Sequence, residues 1–157
     1  IPVSREIEQT LRYLTFEKAR FGEDRIGVNV DIDEEVEDTL VPAFVIQPLV
    51  ENAVRHAMGD EDPLHIDISV APEGESMVQI QVKDDGVGMD EETRRANFSA
   101  SASSANTKGG YGVRNINERL HLAYGAEYGL SCESELGRGT RVTIRIPAAE
   151  ETEDQAQ

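Results

Sequence analysis

The apolar positions change period twice in the first third of the chain. Ile7, Leu11 and Leu14, with Lys18 or Phe21 beyond them, recur at helical spacing and predict a helix over residues 4–21. Ser4 stands where a cap belongs, Glu6 and Glu8 lie near the positive end, and Gly22 stops the run. From Ile26 to Ile32 the period drops to two: Ile26, Val28, Val30 and Ile32 alternate with Gly27, Asn29 and Asp31, which predicts a half-buried strand. Residues 33–38 form an acidic connector of solvated character. Helical spacing returns between Leu40 and Met58, with Pro42 in the first turn and Pro48 predicting a kink or break inside. Ile46, Leu49, Val50, Ala53 and Ala57 make the apolar arc of that helix. Glu51, Asn52, Arg55 and His56 gather opposite.

The second half repeats both periods. Leu64, Ile66, Ile68 and Val70 alternate with polar residues, and after a loop over 72–76 so do Val78, Ile80 and Val82. Residues 90–95 suit a short helix. Residues 97–110 carry one large apolar group, Phe98, and read as a lid, a binding loop or disorder. Val113, Ile116, Leu120 and Ala123 then mark a helix running to Tyr124, which Gly125 ends. Two more strands follow, one through Tyr128, Leu130 and Cys132 and one through Thr140, Val142, Ile144 and Ile146, joined by a tight turn over 135–139. Five strands, each with a single apolar face, and three helices make an α+β fold, a sheet covered on one side. The folded unit spans residues 1–147, and the acidic stretch 148–157 reads as a disordered tail.

With 157 residues and 38% hydrophobic content the chain can build one domain with a real core. Its net charge of −16, from 31 acidic against 15 basic side chains, excludes nucleic acid and anionic membrane surfaces as partners, since both require a basic footprint. No apolar run is long enough for a bilayer-spanning helix. A chain that opens on Ile1, with no leader, reads as an excised fragment. The single cysteine, Cys132, fits a reducing compartment and a place in the core rather than nucleophilic chemistry.

Chemistry concentrates at strand ends. Parity puts Asp84 on the apolar side of its strand, where a carboxylate is costly unless hydrogen-bonded. Gly86 and Gly88 follow, and they permit positive φ and close approach of backbone to a ligand. An acceptor-only group at a pocket floor suits an amino group such as the adenine N6; a plain Asp-Gly hairpin turn is the competing reading. Thr140 shares the inner face of its own strand. The glycine-rich run 109–112 feeds a helix N-terminus, a natural anion site. His65 and His121 read as structural or surface residues, and Arg141 and Arg145 as solvated. Arg55 has Glu51 four residues away as an ordinary helical ion-pair partner. Tyr111 suits a lid contact or simple packing equally.

Four ordered blocks now resemble a known family. Gln47 to His56 is similar to the N box of sensor histidine kinase catalytic domains, in the gyrase, heat-shock-90, histidine-kinase and mismatch-repair ATPase superfamily. Asp84-Asp85-Gly86-Val87-Gly88-Met89 resembles its first glycine box, and Gly110-Tyr111-Gly112-Val113-Arg114-Asn115 its second, followed by Glu118-Arg119-Leu120. Gly137-Arg138-Gly139-Thr140 resembles the closing strand start, and the opening segment from Glu6 to Phe21 is similar to the LytS-like subgroup. The likeness covers residues 3–147 and implies a two-layer α/β sandwich of the Bergerat type, a mixed sheet with helices on one face and a flexible ATP lid. Residues 1–22 would be the leading helix from the dimerisation region.

The resemblance also implies roles. ATP and Mg²⁺ would be the cofactors, and the activity transfer of the γ-phosphate to a histidine on a separate dimerisation domain. Asp84 would accept the adenine amino group with Thr140 assisting, and Asn52 would be the metal ligand. Arg55 would contact phosphate, and His56 would lie by the nucleotide. Asn52, Glu51 and Arg55 would form the catalytic group. Gly86, Gly88 and Met89 would shape the pocket, Gly110 and Gly112 would hinge the lid, Lys108 would contact phosphate, and Tyr111 and Val113 would bind the nucleotide. The partners implied are the chain's own dimerisation and phosphoacceptor domain, a response regulator, and a second copy in a homodimeric full-length bacterial protein of a two-component system. That protein would work in the cytoplasm, with anchoring in the inner membrane left open. Two departures stand out. Pro48 occupies the position where the superfamily's hydrolases carry a glutamate, and Lys108 replaces a usual glycine. The competing functions are a nucleotide-binding switch or docking module without catalysis, and a serine kinase of the anti-sigma-factor type.

Overall fold

A computed structural model describes residues 1–57, 62–98 and 111–148. The elements in order are α1 (Val3–Phe21), β1 (Ile26–Ile32), a 3-10 turn (Glu34–Val36), α2 (Gln47–Ala57), β2 (Leu64–Glu73), β3 (Met77–Asp84), α3 (Glu91–Phe98), α4 (Tyr111–Tyr124), β4 (Gly129–Glu135) and β5 (Gly139–Pro147). The strands form one sheet in the order β1-β2-β3-β5-β4. β1 runs parallel to β2 and the other pairs are antiparallel, so the sheet is mixed, as expected.

The period-two pattern becomes two faces. Ile66, Ile68, Val70, Val78, Ile80, Val82, Val142, Ile144 and Ile146 are all buried on one side. His65, Asp67, Lys83, Glu133 and Arg141 stand exposed on the other. α2 lies on the apolar face against β2, β3 and β5; α1 and α4 flank it, and α3 packs on β4 and α4. Burying each large aliphatic side chain here contributes about 1.5–3 kcal/mol, so this inner face is the main source of stability.

Three expectations shift. α1 begins at Val3 with Pro2 before it and no side-chain cap; Ser4 does not cap. The backbone N–H groups of Val3 and Ser4 instead donate to the carbonyls of Thr39 and Glu37, which anchor the helix start to the following connector. The buried positions of α1 are Val3, Glu6, Ile7, Thr10 and Leu14, one edge round from the predicted stripe, and Phe21 is exposed. α2 starts at Gln47 rather than Leu40, so Pro48 causes no kink. It falls in the first turn, where its missing N–H would have had no helical partner.

Candidate functional site

The floor of the site is the Asp84 end of β3. In register, Asp84 faces Ile66 on β2 and Thr140 on β5. It is 5% exposed. The Asp84 Oδ1 accepts the N–H of Gly86 at 2.8 Å. Burial pushes the carboxyl up to about 6; the N–H groups of Gly86 and Thr140 pull against it, and the neighbouring Asp85 adds to the rise. A carboxylate offers about four lone-pair positions, and these two donors leave acceptor capacity over.

The turn after Asp84 is shaped by one glycine more than the other. Gly88 takes φ 73°, whereas Gly86 is not among the positive-φ glycines and serves through its N–H. A Cβ at Gly88 would stand 2.0 Å from the carbonyl oxygen of Glu135, and one at Gly139 2.0 Å from that of Asp84. Two backbone segments therefore touch where side chains cannot fit. The carbonyl of Val87 accepts from Gly137 N–H at 2.8 Å, closing the contact.

Ser134 completes this corner, and no sequence argument had singled it out. It pairs with Thr140 across β4 and β5. Its Oγ accepts the Met89 N–H at 2.8 Å and lies 2.8 Å from Thr140 Oγ1 and 3.1 Å from the Gly139 carbonyl. It shares parity with the buried Cys132, and that was the available signal. A depression of about 230 Å³ at this end of the sheet is lined by Asp84, Ser134, Arg138 and Thr140 among others. Burial pushes the Cys132 thiol up to about 12, so it stays protonated as a core residue.

The second part of the site lies on α2. Asn52 is half-buried, and its Oδ1 is shielded from solvent with no hydrogen-bond partner among the described residues. A buried amide oxygen without a partner costs about 1–3 kcal/mol, which calls for a ligand at that atom. Glu51 accepts from Gln47 Nε2 at 2.9 Å. Among the described residues no ion pair joins it to Arg55, so that helical pairing does not form and Arg55 remains exposed. Tyr13 of α1 sits beside this group; burial, then Glu17 and Glu51, push its phenol up to about 12 against Arg55 and Arg20. Lys108 and Gly110 lie outside the described residues, as do the side chains of His56, Tyr111 and Val113. Gly112 falls inside the first turn of α4 rather than before it. His65 pairs with Asp85 at 3.0 Å on the exposed face, away from Asp84's side of the sheet.

An inner-face acid at a strand end and, on the covering helix, an amide oxygen without a partner among the described residues thus belong to one mixed-sheet, one-sided α+β domain. Residues 37–150 match the family model described as histidine kinase-, DNA gyrase B- and HSP90-like ATPase, and the chain belongs to that family. It is 40% identical to the sensor protein LytS of Bacillus cereus over 99% of this chain and 26% of that protein. It is 35% identical to the sensor histidine kinase YesM of Bacillus subtilis over 96% of this chain and 24% of that one. The chain therefore spans about a quarter of the length of the curated relatives it matches. The solved catalytic domain of histidine kinase ThkA shares the fold, with a TM-score of 0.67 at 20% identity, over 94% of this chain and 93% of that one. No helix among the described residues is long and apolar enough to cross a membrane.

Proposed function

We propose that this domain binds Mg·ATP and presents the γ-phosphate to a histidine on a separate dimerisation domain of a two-component sensor kinase. The single observation that carries the reading is the pair of unsatisfied acceptors, Asp84 with spare lone pairs on the sheet and the Asn52 oxygen with none of its own used on α2. Asp84 would take the adenine amino group, and Thr140, fixed by Ser134, would support it. Gly86, Gly88 and Met89 would form the wall that the backbone crossing at Glu135 holds rigid.

The residues fit a magnesium ion in one respect. Asn52 offers a neutral oxygen that lacks a protein donor, and magnesium takes few protein oxygens beside phosphate and water. When bound, the ion would neutralise phosphate charge. Arg55, exposed and without a carboxylate ion pair among the described residues, would hold phosphate oxygens, with His56, Lys108, Gly110, Tyr111, Gly112 and Val113 proposed for the nucleotide and its lid. Glu51 stands next to Asn52 but is engaged by Gln47, and Pro48 leaves no acid four residues before Asn52. That arrangement favours holding a phosphoryl donor in line over activating water. The names of the relatives, a sensor protein and a sensor histidine kinase, support the reading, and a response regulator and a homodimeric parent follow from it as proposed partners.

Calorimetric titration with ATP and with adenosine, each with and without magnesium, tests the assignment. Wild type should bind ATP more tightly with magnesium. Asn52→Ala should lose that gain, by roughly tenfold or more, and keep its adenosine affinity. No saturable ATP binding would end the reading. Phosphotransfer to the parent protein's histidine-bearing helix then separates a kinase from a nucleotide-binding switch.

A further inference from the structure

Glu6 is 1% exposed in α1, and its carboxylate is spent on another helix. Its Oε1 accepts from Phe44 N–H at 2.8 Å, and its Oε2 from Val45, Ile46 and Gln47 at 3.0, 2.9 and 3.3 Å. α2 begins at Gln47, so these are N–H groups at and just before its start, the donors a helix cannot satisfy internally. The residue before α2 is Ile46, which has no side-chain oxygen to cap with. The cap therefore comes from α1.

The same turn is gripped from the other side. Arg119 of α4 donates to the carbonyls of Ala43 and of Phe44, the latter at 3.0 Å. Between the two grips Phe44 holds φ 66°, a left-handed conformation that is strained for a bulky residue and persists only when its surroundings fix it. α1 meets α2 again further along: Tyr13 lies seven residues after Glu6, on the same side of α1, beside Glu51 and Arg55. One edge of α1 thus grips α2 at its start and comes near it again at Glu51 and Arg55.

We propose that Glu6 is a positioning residue for Asn52. By capping α2 from α1 and fixing the strained 43–47 turn against Arg119, it sets where the Asn52 oxygen stands over the sheet. The proposal rests on the reading that Asn52 serves the magnesium-dependent end of the nucleotide site. Asp84, held by the sheet alone, does not depend on Glu6.

The test is calorimetry on wild type, Glu6→Gln, Glu6→Asp and the core control Leu14→Ala, each well below its own melting temperature. ATP is titrated with magnesium and with EDTA, and adenosine alone. Glu6→Gln should keep its adenosine affinity and lose roughly tenfold of the magnesium-dependent gain in ATP affinity. Glu6→Asp should fall between it and wild type. Leu14→Ala should melt lower and keep the full gain. A Glu6→Gln protein that melts lower with its gain intact overturns the proposal, as does an equal loss in Leu14→Ala. If Glu6→Gln does not fold, Glu6→Asp decides by the same measure: an unchanged gain overturns the proposal and a reduced one upholds it. A wild type without any magnesium-dependent gain overturns the parent reading, and is seen before any variant is compared.

Discussion

Among the described residues two carboxylates are buried, Glu6 and Asp84, and they are held in opposite ways. Glu6 receives four backbone N–H groups, one on Oε1 and three on Oε2. Asp84 receives two, from Gly86 and Thr140, and burial still pushes it up to about 6. The more saturated acid is part of the scaffold. The unsaturated acid, when ionised, carries a cost that an added donor or a proton would relieve. Raised from an ordinary 3.8 to about 6, Asp84 when ionised costs the folded state roughly 3 kcal/mol. Such a perturbed group is what the proposed ligand contact at Asp84 would relieve.

The sharpest way to break this comparison is to make Glu6 an amide. Glu6→Gln keeps one accepting oxygen and turns the other into a donor that faces N–H groups. A buried network broken on one side should lose about 3–5 kcal/mol of stability, read from urea unfolding at neutral pH. A loss under about 1 kcal/mol would show that the turn does not need its cap.

The same change at Asp84 should act in the other direction. Asp84→Asn removes the ionisation cost and keeps an oxygen for the Gly86 N–H. It should raise stability by about 1–3 kcal/mol at pH 7.5 and weaken adenosine binding by roughly tenfold. A variant that is both less stable and unchanged in binding would make Asp84 a second scaffold acid.

Titration tests Asp84 without mutation. Because the folded-state value of Asp84 lies above its unfolded value, the folded state holds the extra proton, and its contribution to stability is full below about 4 and is lost as pH rises through about 6. On the proposed role of Asp84, binding runs the opposite way, since an amino group needs the ionised acceptor. Adenosine affinity should fall roughly fourfold between pH 7.5 and 5.5, and in Asp84→Asn the fall should vanish.

Much of this was legible in the residues. Period two located every strand, and the parity of Val78, Ile80 and Val82 put Asp84 on the inner face before any coordinate did. What the pattern could not supply was pairing across the chain. Glu6 looked like a residue placed for its own helix dipole, yet its partners lie 38 to 41 residues on. The signal was weak but present: Val3, Ile7, Thr10 and Leu14 form an apolar and small-polar arc shifted round the helix from Ile7, Leu11 and Leu14, and Glu6 sits at its margin. Pro48 was read as a flaw inside a helix because residues 40–46 are apolar enough to pass for helix; the N–H groups of Phe44, Val45 and Ile46 go instead to a carboxylate no local rule could find. Asn52 was legible only through its motif, since an unpartnered oxygen is a fact of packing.

Ser134 offers the finest test, because it touches the unsaturated acid's corner without touching the acid. Its hydroxyl accepts from Met89 N–H and can donate to Thr140 or to the Gly139 carbonyl. Ser134→Ala should remove the hydroxyl acceptor of the Met89 N–H and free the Thr140 hydroxyl to turn. The cost should be about 1 kcal/mol in stability, much smaller than for Glu6→Gln. If Asp84 binds through a preset corner, adenosine affinity should drop a further, roughly threefold, amount, while the midpoint near pH 6 stays where Asp84 alone puts it. A shifted midpoint with unchanged affinity would mean that Ser134 acts on the acid's charge rather than on the shape of the wall beside it.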